Sequence, residues 1–231
     1  MLVDLQWDKI LENYAYELRK VAERYHEENT YHLLLIGDNQ TGKTTFVNNI
    51  ADHRFRNLPT EIPGIELSLL ATKKELIHIW SMRTDPHLLE QLQERVHDIE
   101  GVIGFFDLTR PSSFSSLQNR VSDLIMIFGK MYPLILIGNK ADASGRQIVK
   151  EDVLVYSYEL GNCSCHRIPY VEMSALKNYG LDKVVHNMLQ MINCNMTSRC
   201  SQFPAAFRQW CNVPQFYSFH KEPRQRLEVV S

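Results

Sequence analysis

Short runs of apolar residues alternate along the chain with longer segments whose apolar positions recur every three or four residues. Short apolar runs are typical of buried strands, whereas the longer period is typical of helices that pack on one face. The apolar runs are 33–36, 102–108 and 134–138, and the helical patterns are 88–99, 112–130, 147–160 and 181–192. Regular alternation of strand and helix predicts an α/β fold with a doubly wound, mostly parallel sheet and helices on both faces. The ligand of such a sheet is expected at the carboxyl ends of its strands.

Further strands are predicted on either side of this central pattern. Residues 65–71 and 75–80 indicate a hairpin of two strands, and residues 169–173 supply another strand, which gives a sheet of six strands. The segment 51–64 contains prolines and arginines and is predicted to be an irregular loop. The third helical pattern is expected to end at Gly161, because glycine is a common residue just past a helix end.

The two ends of the chain predict extensions to a central domain at 31–194. In residues 1–30, the stretch 4–28 has apolar positions at alternating steps of three and four, with seven acids against four bases. Residues 195–231 are rich in aromatic residues, with five bases against two acids. Each extension is expected either to pack on the central domain or to bind a partner protein, and the N-terminal helix could also pair with itself.

The strand at 33–36 runs into a loop with the spacing of a phosphate-binding loop. Gly37 is followed, five residues later, by Gly42-Lys43-Thr44. The glycines allow a tight turn whose backbone N–H groups face a phosphate, and the following helix N-terminus adds partial positive charge. Lys43 is expected to reach the outer phosphates, and the Thr44 hydroxyl to bind Mg²⁺. The predicted contacts of this loop are Asn39, Gln40, Thr41, Gly42, Lys43, Thr44 and Thr45.

Two later strand ends lead into further loops with polar residues. The strand at 134–138 leads into Asn139-Lys140-Ala141-Asp142. The Asp142 carboxylate can accept hydrogen bonds from the ring N–H and amine of guanine, whereas adenine would leave this acceptor unmatched. The aliphatic stem of Lys140 can lie over the base. Another loop, Ser174-Ala175-Leu176, follows the strand at 169–173.

Taken in this order and spacing, the three motifs resemble those of the Ras superfamily of small GTPases, nearest to its Rab-like members. The resemblance covers residues 31–193 and implies a bound GTP or GDP with Mg²⁺. It implies that Asn139, Lys140 and Asp142 hold the base, with help from the loop at 174–176. It also implies an output through protein–protein contacts in intracellular trafficking or assembly.

One stretch departs from the pattern of that family. Where small GTPases have Asp-x-x-Gly-Gln, this chain has Ser81-Met82-Arg83-Thr84-Asp85. The resemblance implies that an acid supporting Mg²⁺, a glycine that reaches the γ-phosphate and a glutamine that orients water are all replaced. Asp85 suits a helix N-cap, with proline after it. Hydrolysis is therefore expected to be weak or absent, with a slow, partner-assisted GTPase and a scaffolding pseudo-GTPase as the open alternatives.

A second departure lies at the threonine that, in the family, closes over Mg²⁺ and the terminal phosphate. Alignment on Gly64-Ile65-Glu66 places Ile62 there, and Thr60 stands two residues earlier. This ligand is therefore not assigned.

Composition and charge narrow the expected partners. The 231 residues have a formal net charge of −2, which disfavours nucleic acid as a partner. No apolar run reaches the length of about 18 residues that a membrane span needs. Leu2 does not fit N-myristoylation, and no C-terminal cysteine fits prenylation. The sequence predicts a cytoplasmic protein that reaches membranes, if at all, through a partner.

Overall fold

The structure is a computed structural model of the chain. It describes residues 30–50, 55–58, 64–71, 75–82, 88–90, 92, 99–164 and 168–196. The predicted N-terminal helix at 4–28, the C-terminal extension beyond 196, and the stretch 83–87 with its predicted helix cap lie outside the described residues. The three-part division of the chain therefore stays a prediction.

The core of the molecule is one sheet with strand order β2-β3-β4-β1-β5-β6-β7. Five neighbouring strands, from β4 to β7, run parallel, and β2 and β3 pair antiparallel at one edge. The strands are β1 (Thr30–Gly37), β2 (Phe55–Leu58), β3 (Ile65–Ala71), β4 (Leu76–Met82), β5 (Gly101–Asp107), β6 (Leu134–Asn139) and β7 (Tyr170–Glu172). The helices are α1 (Lys43–Ile50), α2 (Pro111–Phe128), α3 (Lys150–Ser164) and α4 (Leu181–Met196).

Both faces of the sheet are covered, as the apolar runs require. Successive side chains of a strand point to opposite faces, so Leu34 and Ile36 pack with α2 and α3, whereas Leu33 and Leu35 pack with α1 and α4. Residues 88–90 and 92 are also helical, and Leu88, Leu89 and Leu92 pack on the face of α2 and α3. The predicted doubly wound, mostly parallel fold is therefore confirmed.

The structure differs from the sequence prediction at one edge of the sheet. The described residues form seven strands rather than six, because Phe55–Leu58 lies within the segment predicted to be an irregular loop. Its backbone pairs with β3 from Phe55↔Leu70 to Leu58↔Leu67. A neighbouring strand edge offers backbone hydrogen bonds regardless of side-chain pattern, so this short strand leaves little trace in the sequence.

The third predicted helix is shifted at both ends. Gln147 and Ile148 donate their backbone N–H groups to Leu108 O instead of entering α3. The helix then continues through Gly161 to Ser164, so the predicted end at Gly161 is wrong. A helical glycine costs only about 1 kcal/mol relative to alanine, which packing of neighbouring turns can offset.

Within the described part of the chain, no helix combines the length and the apolar character needed to cross a membrane.

Candidate nucleotide-binding site

A cavity of about 480 Å³ lies where β1, β4 and β6 end. One wall is the phosphate loop with the start of α1, namely Asn39, Gln40, Gly42, Lys43, Thr44 and Thr45. The opposite wall is built from the two later loops, namely Asn139, Lys140, Asp142, Ala143, Ala175 and Leu176. Gly64, Glu66, Ser81 and Met82 of the β3–β4 hairpin close a third side. Sequence motifs that are far apart in the chain thus share one cavity.

Two predicted site residues, Thr41 and Ser174, do not line the cavity but lie buried behind its walls. The Thr41 hydroxyl donates to Asp38 O at 2.8 Å, which closes the phosphate loop on itself. The Ser174 hydroxyl accepts a hydrogen bond at 3.0 Å from Lys177 N and stabilises the turn beyond it. Their contribution is therefore to the shape of the loops.

Lys43 is held across the phosphate loop by two carbonyl groups. Its Nζ donates to Gly37 O at 2.6 Å and to Asp38 O at 2.8 Å, and the side chain is almost fully buried. Burial lowers the pKa of Lys43 to about 8, and the nearby carboxylates of Asp38 and Glu66 offset part of this fall. A buried ammonium group is stabilised by an anion, so this position favours a phosphate.

The tight turn of the phosphate loop depends on Gly42. Its φ is +97°, and a Cβ placed there would lie 2.0 Å from Nδ2 of Asn139. Gln40 also has a positive φ, of 63°, which is uncommon for a residue other than glycine. After the turn, Phe46 N donates to Gly42 O at 2.8 Å and α1 begins.

Residues at the start of α2 brace the phosphate loop from outside the cavity. Arg110 Nη2 donates to Asn39 O at 2.7 Å, and the Ser116 hydroxyl donates to the Asp38 carboxylate at 2.8 Å. Neither contact is predictable from the sequence, because both depend on the packing of α2 beside β1.

Asn139 joins the two main walls. Its Nδ2 donates to Thr41 O at 2.7 Å, and its Oδ1 accepts from Ala175 N at 2.9 Å. Asn49 of α1 adds a bond from Nδ2 to Ala175 O at 2.6 Å. Both polar atoms of the Asn139 side chain are therefore used within the protein, which makes it a residue that positions the loops.

Lys140 is oriented by a buried carboxylate. Its Nζ lies 2.6 Å from Oδ2 of Asp107, whose Oδ1 accepts hydrogen bonds from N and Oγ1 of Thr109. Burial raises the pKa of Asp107, but the bonds from Lys140 and Thr109 outweigh it and leave the pKa below its ordinary value. Asp107, at the end of β5, therefore anchors the amine of a residue that lines the cavity.

Asp142 is exposed on the cavity wall. A hydrogen bond from the Ser174 hydroxyl holds the pKa of Asp142 below its ordinary value, and Lys177 adds a smaller effect in the same direction. The side chain is therefore an ionised acceptor at neutral pH, which suits a partner that presents N–H donors.

Comparison with known proteins agrees with this architecture. The sequence model of the Ras family matches residues 32–194. The chain is 26% identical to the GTP-binding nuclear protein Ran of Giardia intestinalis, over 76% of this chain and 84% of that protein. It is 23% identical to the Ras-related protein RabC of Dictyostelium discoideum, over 74% of this chain and 87% of that protein. It is 27% identical to human Ras-related protein Rab-27B, over 69% of this chain and 78% of that protein. The chain therefore belongs to the Ras family, as a Rab-like member of the small GTPase superfamily.

Proposed function

We propose that this chain binds GTP or GDP with Mg²⁺ in the 480 Å³ cavity and acts through protein–protein contacts, with weak or absent hydrolysis. The observation that supports this most is the meeting of the Lys43 loop and the Asp142 loop around one space. One wall offers a cation and backbone N–H groups, and the other offers an ionised acceptor.

The phosphate loop suits the phosphates of the nucleotide. Lys43 already donates to two carbonyl oxygens, and phosphate oxygens can take the place of these acceptors without moving the lysine far. The start of α1 presents N–H groups without helical partners, which favour an anion. This end of the cavity is assigned to the β- and γ-phosphates.

The oxygen atoms on the same side fit Mg²⁺. This ion prefers oxygen ligands, keeps several waters and is commonly held by one or two protein groups together with substrate phosphates. Thr44, whose side chain carries a hydroxyl, lines the cavity, and Ser81 and Glu66 line it as well. Thr44 is assigned as the direct protein ligand, and when bound the ion would neutralise phosphate charge.

The other wall suits the guanine base. Asp142 provides an acceptor, and Lys140 is fixed at its amine by Asp107, which leaves its aliphatic stem along the cavity. Leu176 is 74% exposed, and a flat base would cover part of this apolar surface. The hydrogen bond from Ala175 N to Asn139 Oδ1 holds the two loops of this wall together.

Weak hydrolysis is proposed from the residues at the end of β4 and just after it. Ser81 is buried at the end of the strand and has no carboxylate. Thr84 and Asp85, which lie outside the described residues, replace the glycine and glutamine of the family. Without the glutamine amide, attacking water lacks its usual orienting group.

Two versions of the function remain under this proposal. In one, a partner completes a slow GTPase; in the other, the nucleotide is a constant structural part of a scaffold. Similarity to Rab proteins supports intracellular trafficking as the setting, and the predicted extensions at residues 1–30 and 195–231 are the proposed surfaces for partner proteins.

The proposal is tested by single-turnover hydrolysis of bound GTP, with the affinities of GTP and GDP measured beside it. Both nucleotides are expected to bind with similar affinity, and turnover is expected to fall well below about 10⁻⁴ s⁻¹, the order of intrinsic small-GTPase hydrolysis. Turnover at or above that rate would contradict weak hydrolysis, and failure to bind either nucleotide would contradict the function as a whole.

The matched comparison restores the sequence of the family at this loop. The triple variant Ser81→Asp, Thr84→Gly and Asp85→Gln is expected to hydrolyse GTP faster than the natural chain. An unchanged rate in a folded, nucleotide-bound triple variant would show that these three substitutions do not set the rate.

A further inference from the structure

Glu66 and Ser81 face each other on neighbouring strands. In the antiparallel pairing of β3 with β4, Glu66 stands directly opposite Ser81. Side chains of directly opposed residues lie on the same face of a sheet, with Cβ atoms about 5 Å apart. The carboxylate of Glu66 on β3 and the side chain of Ser81 on β4 therefore lie on the same face of the sheet, close to each other.

Both side chains line the nucleotide cavity, together with Lys43 and Thr44. Ser81 is buried, whereas Glu66 is exposed. The negative charge of Glu66 also raises the pKa of Lys43, against the larger effect of burial. Position 81 carries no negative group, but Glu66 on the neighbouring strand does.

We propose that Glu66 supplies the acidic support for Mg²⁺ that Ser81 does not provide. This inference rests on the proposed function, since it needs a nucleotide with Mg²⁺ in the cavity. Thr44 would remain the direct ligand, and the Glu66 carboxylate would accept hydrogen bonds from water molecules on the ion. Mg²⁺ tends to keep several waters, so a carboxylate can stabilise it without direct contact.

The rate at which bound GDP is released distinguishes two cases. In one, Glu66 supports Mg²⁺; in the other, no carboxylate supports the ion. If Ser81 left Mg²⁺ without a carboxylate, the ion would do little to slow nucleotide release. With Glu66 in that role, release of bound GDP should slow strongly as Mg²⁺ is added, and the effect should depend on the charge of Glu66.

The test follows release of a fluorescent GDP analogue over a titration of Mg²⁺, and in excess chelator. Glu66→Gln keeps the size of the side chain but removes its charge. It is expected to weaken the apparent Mg²⁺ affinity of the GDP complex by about 10–100-fold, the usual cost of losing such a group. In chelator its release rate should differ from that of the natural chain by much less than it does at saturating Mg²⁺, because the main effect of the variant is expected to act through the ion.

Two comparison variants make the result specific. Glu159→Gln removes a charge from the exposed face of α3 and should leave the Mg²⁺ dependence unchanged. Adding Ser81→Asp to Glu66→Gln places a carboxylate on the facing strand and should restore the Mg²⁺ affinity. A merely structural role of Glu66 would not predict this rescue.

The outcomes distinguish this inference from the function on which it rests. If GDP binds with a clear Mg²⁺ dependence that Glu66→Gln leaves unchanged, the role of Glu66 is overturned while nucleotide binding stands. GDP release that is insensitive to Mg²⁺ in the natural chain would also overturn it. If the natural chain binds no guanine nucleotide, both proposals fail.

Discussion

Replacing Gly42 with alanine is expected to lower the free energy of unfolding by about 3 kcal/mol and to abolish nucleotide binding. The added Cβ would lie 2.0 Å from Asn139 Nδ2, at a backbone φ of +97°. The left-handed backbone costs about 1–2 kcal/mol for a residue with a side chain. Displacing Asn139 would also break its bonds to Thr41 O and Ala175 N, and each buried group left unpaired costs about 1–3 kcal/mol.

Gly145→Ala is a matched control for this change. Gly145 has nearly the same φ, +96°, but a Cβ there meets nothing within 4 Å. Denaturant unfolding of both variants without nucleotide should show a cost of about 1–2 kcal/mol at Gly145, and a clearly larger cost at Gly42. Equal costs would show that the collision with Asn139 does not matter and that the loops are not joined as described.

Replacing Asp142 with asparagine is expected to weaken GDP and GTP binding by at least about 100-fold and to improve xanthine nucleotides relative to guanine nucleotides. Asparagine keeps the shape but offers only one acceptor, and its amide donor would face the donors of guanine. Xanthine has a carbonyl oxygen in place of the guanine amine, so it can accept from that amide. Competition titrations with a fluorescent nucleotide measure both changes.

Asp152→Asn provides the control for the loss of one negative charge. Asp152 is exposed in the first turn of α3 and away from the cavity, so its substitution should leave nucleotide affinity unchanged. If Asp142→Asn weakens guanine and xanthine nucleotides equally, the carboxylate does not recognise the base, and the assignment of this wall is wrong.

The parts of the site that follow directly from sequence are those whose chemistry lies in consecutive residues. The spacing from Gly37 to Thr44 requires a tight turn between a strand and a helix, and β1 and α1 are placed accordingly. Buried strands such as β5 and β6 are visible as apolar runs, because both their faces are covered. Parallel order then brings the ends of β1 and β6 to the same edge of the sheet.

The parts that were missed depend on the partners of a residue across the fold. Glu66 has the pattern of an ordinary polar residue in a strand, and only its register opposite Ser81 places it at the cavity. Arg110 precedes a helix, and its bond to Asn39 O follows from the packing of α2. The strand at 55–58 forms because β3 offers an edge, and no local pattern specifies that.

Asn139 shows the same limit within a motif that was recognised. That Asn139 holds the base stays a prediction, and the folded geometry adds that its two polar side-chain atoms bond to Thr41 and Ala175. A motif identifies which residues gather at a site, but the division between ligand contact and support of the loops requires the folded geometry.

Competition titration of the natural chain with GDP, GTP and ATP measures whether the cavity recognises guanine specifically. GDP and GTP are expected to displace a fluorescent guanine nucleotide at concentrations at least about 100-fold lower than ATP, because adenine leaves the Asp142 carboxylate unmatched. Displacement by ATP at the same concentration as GTP would contradict it.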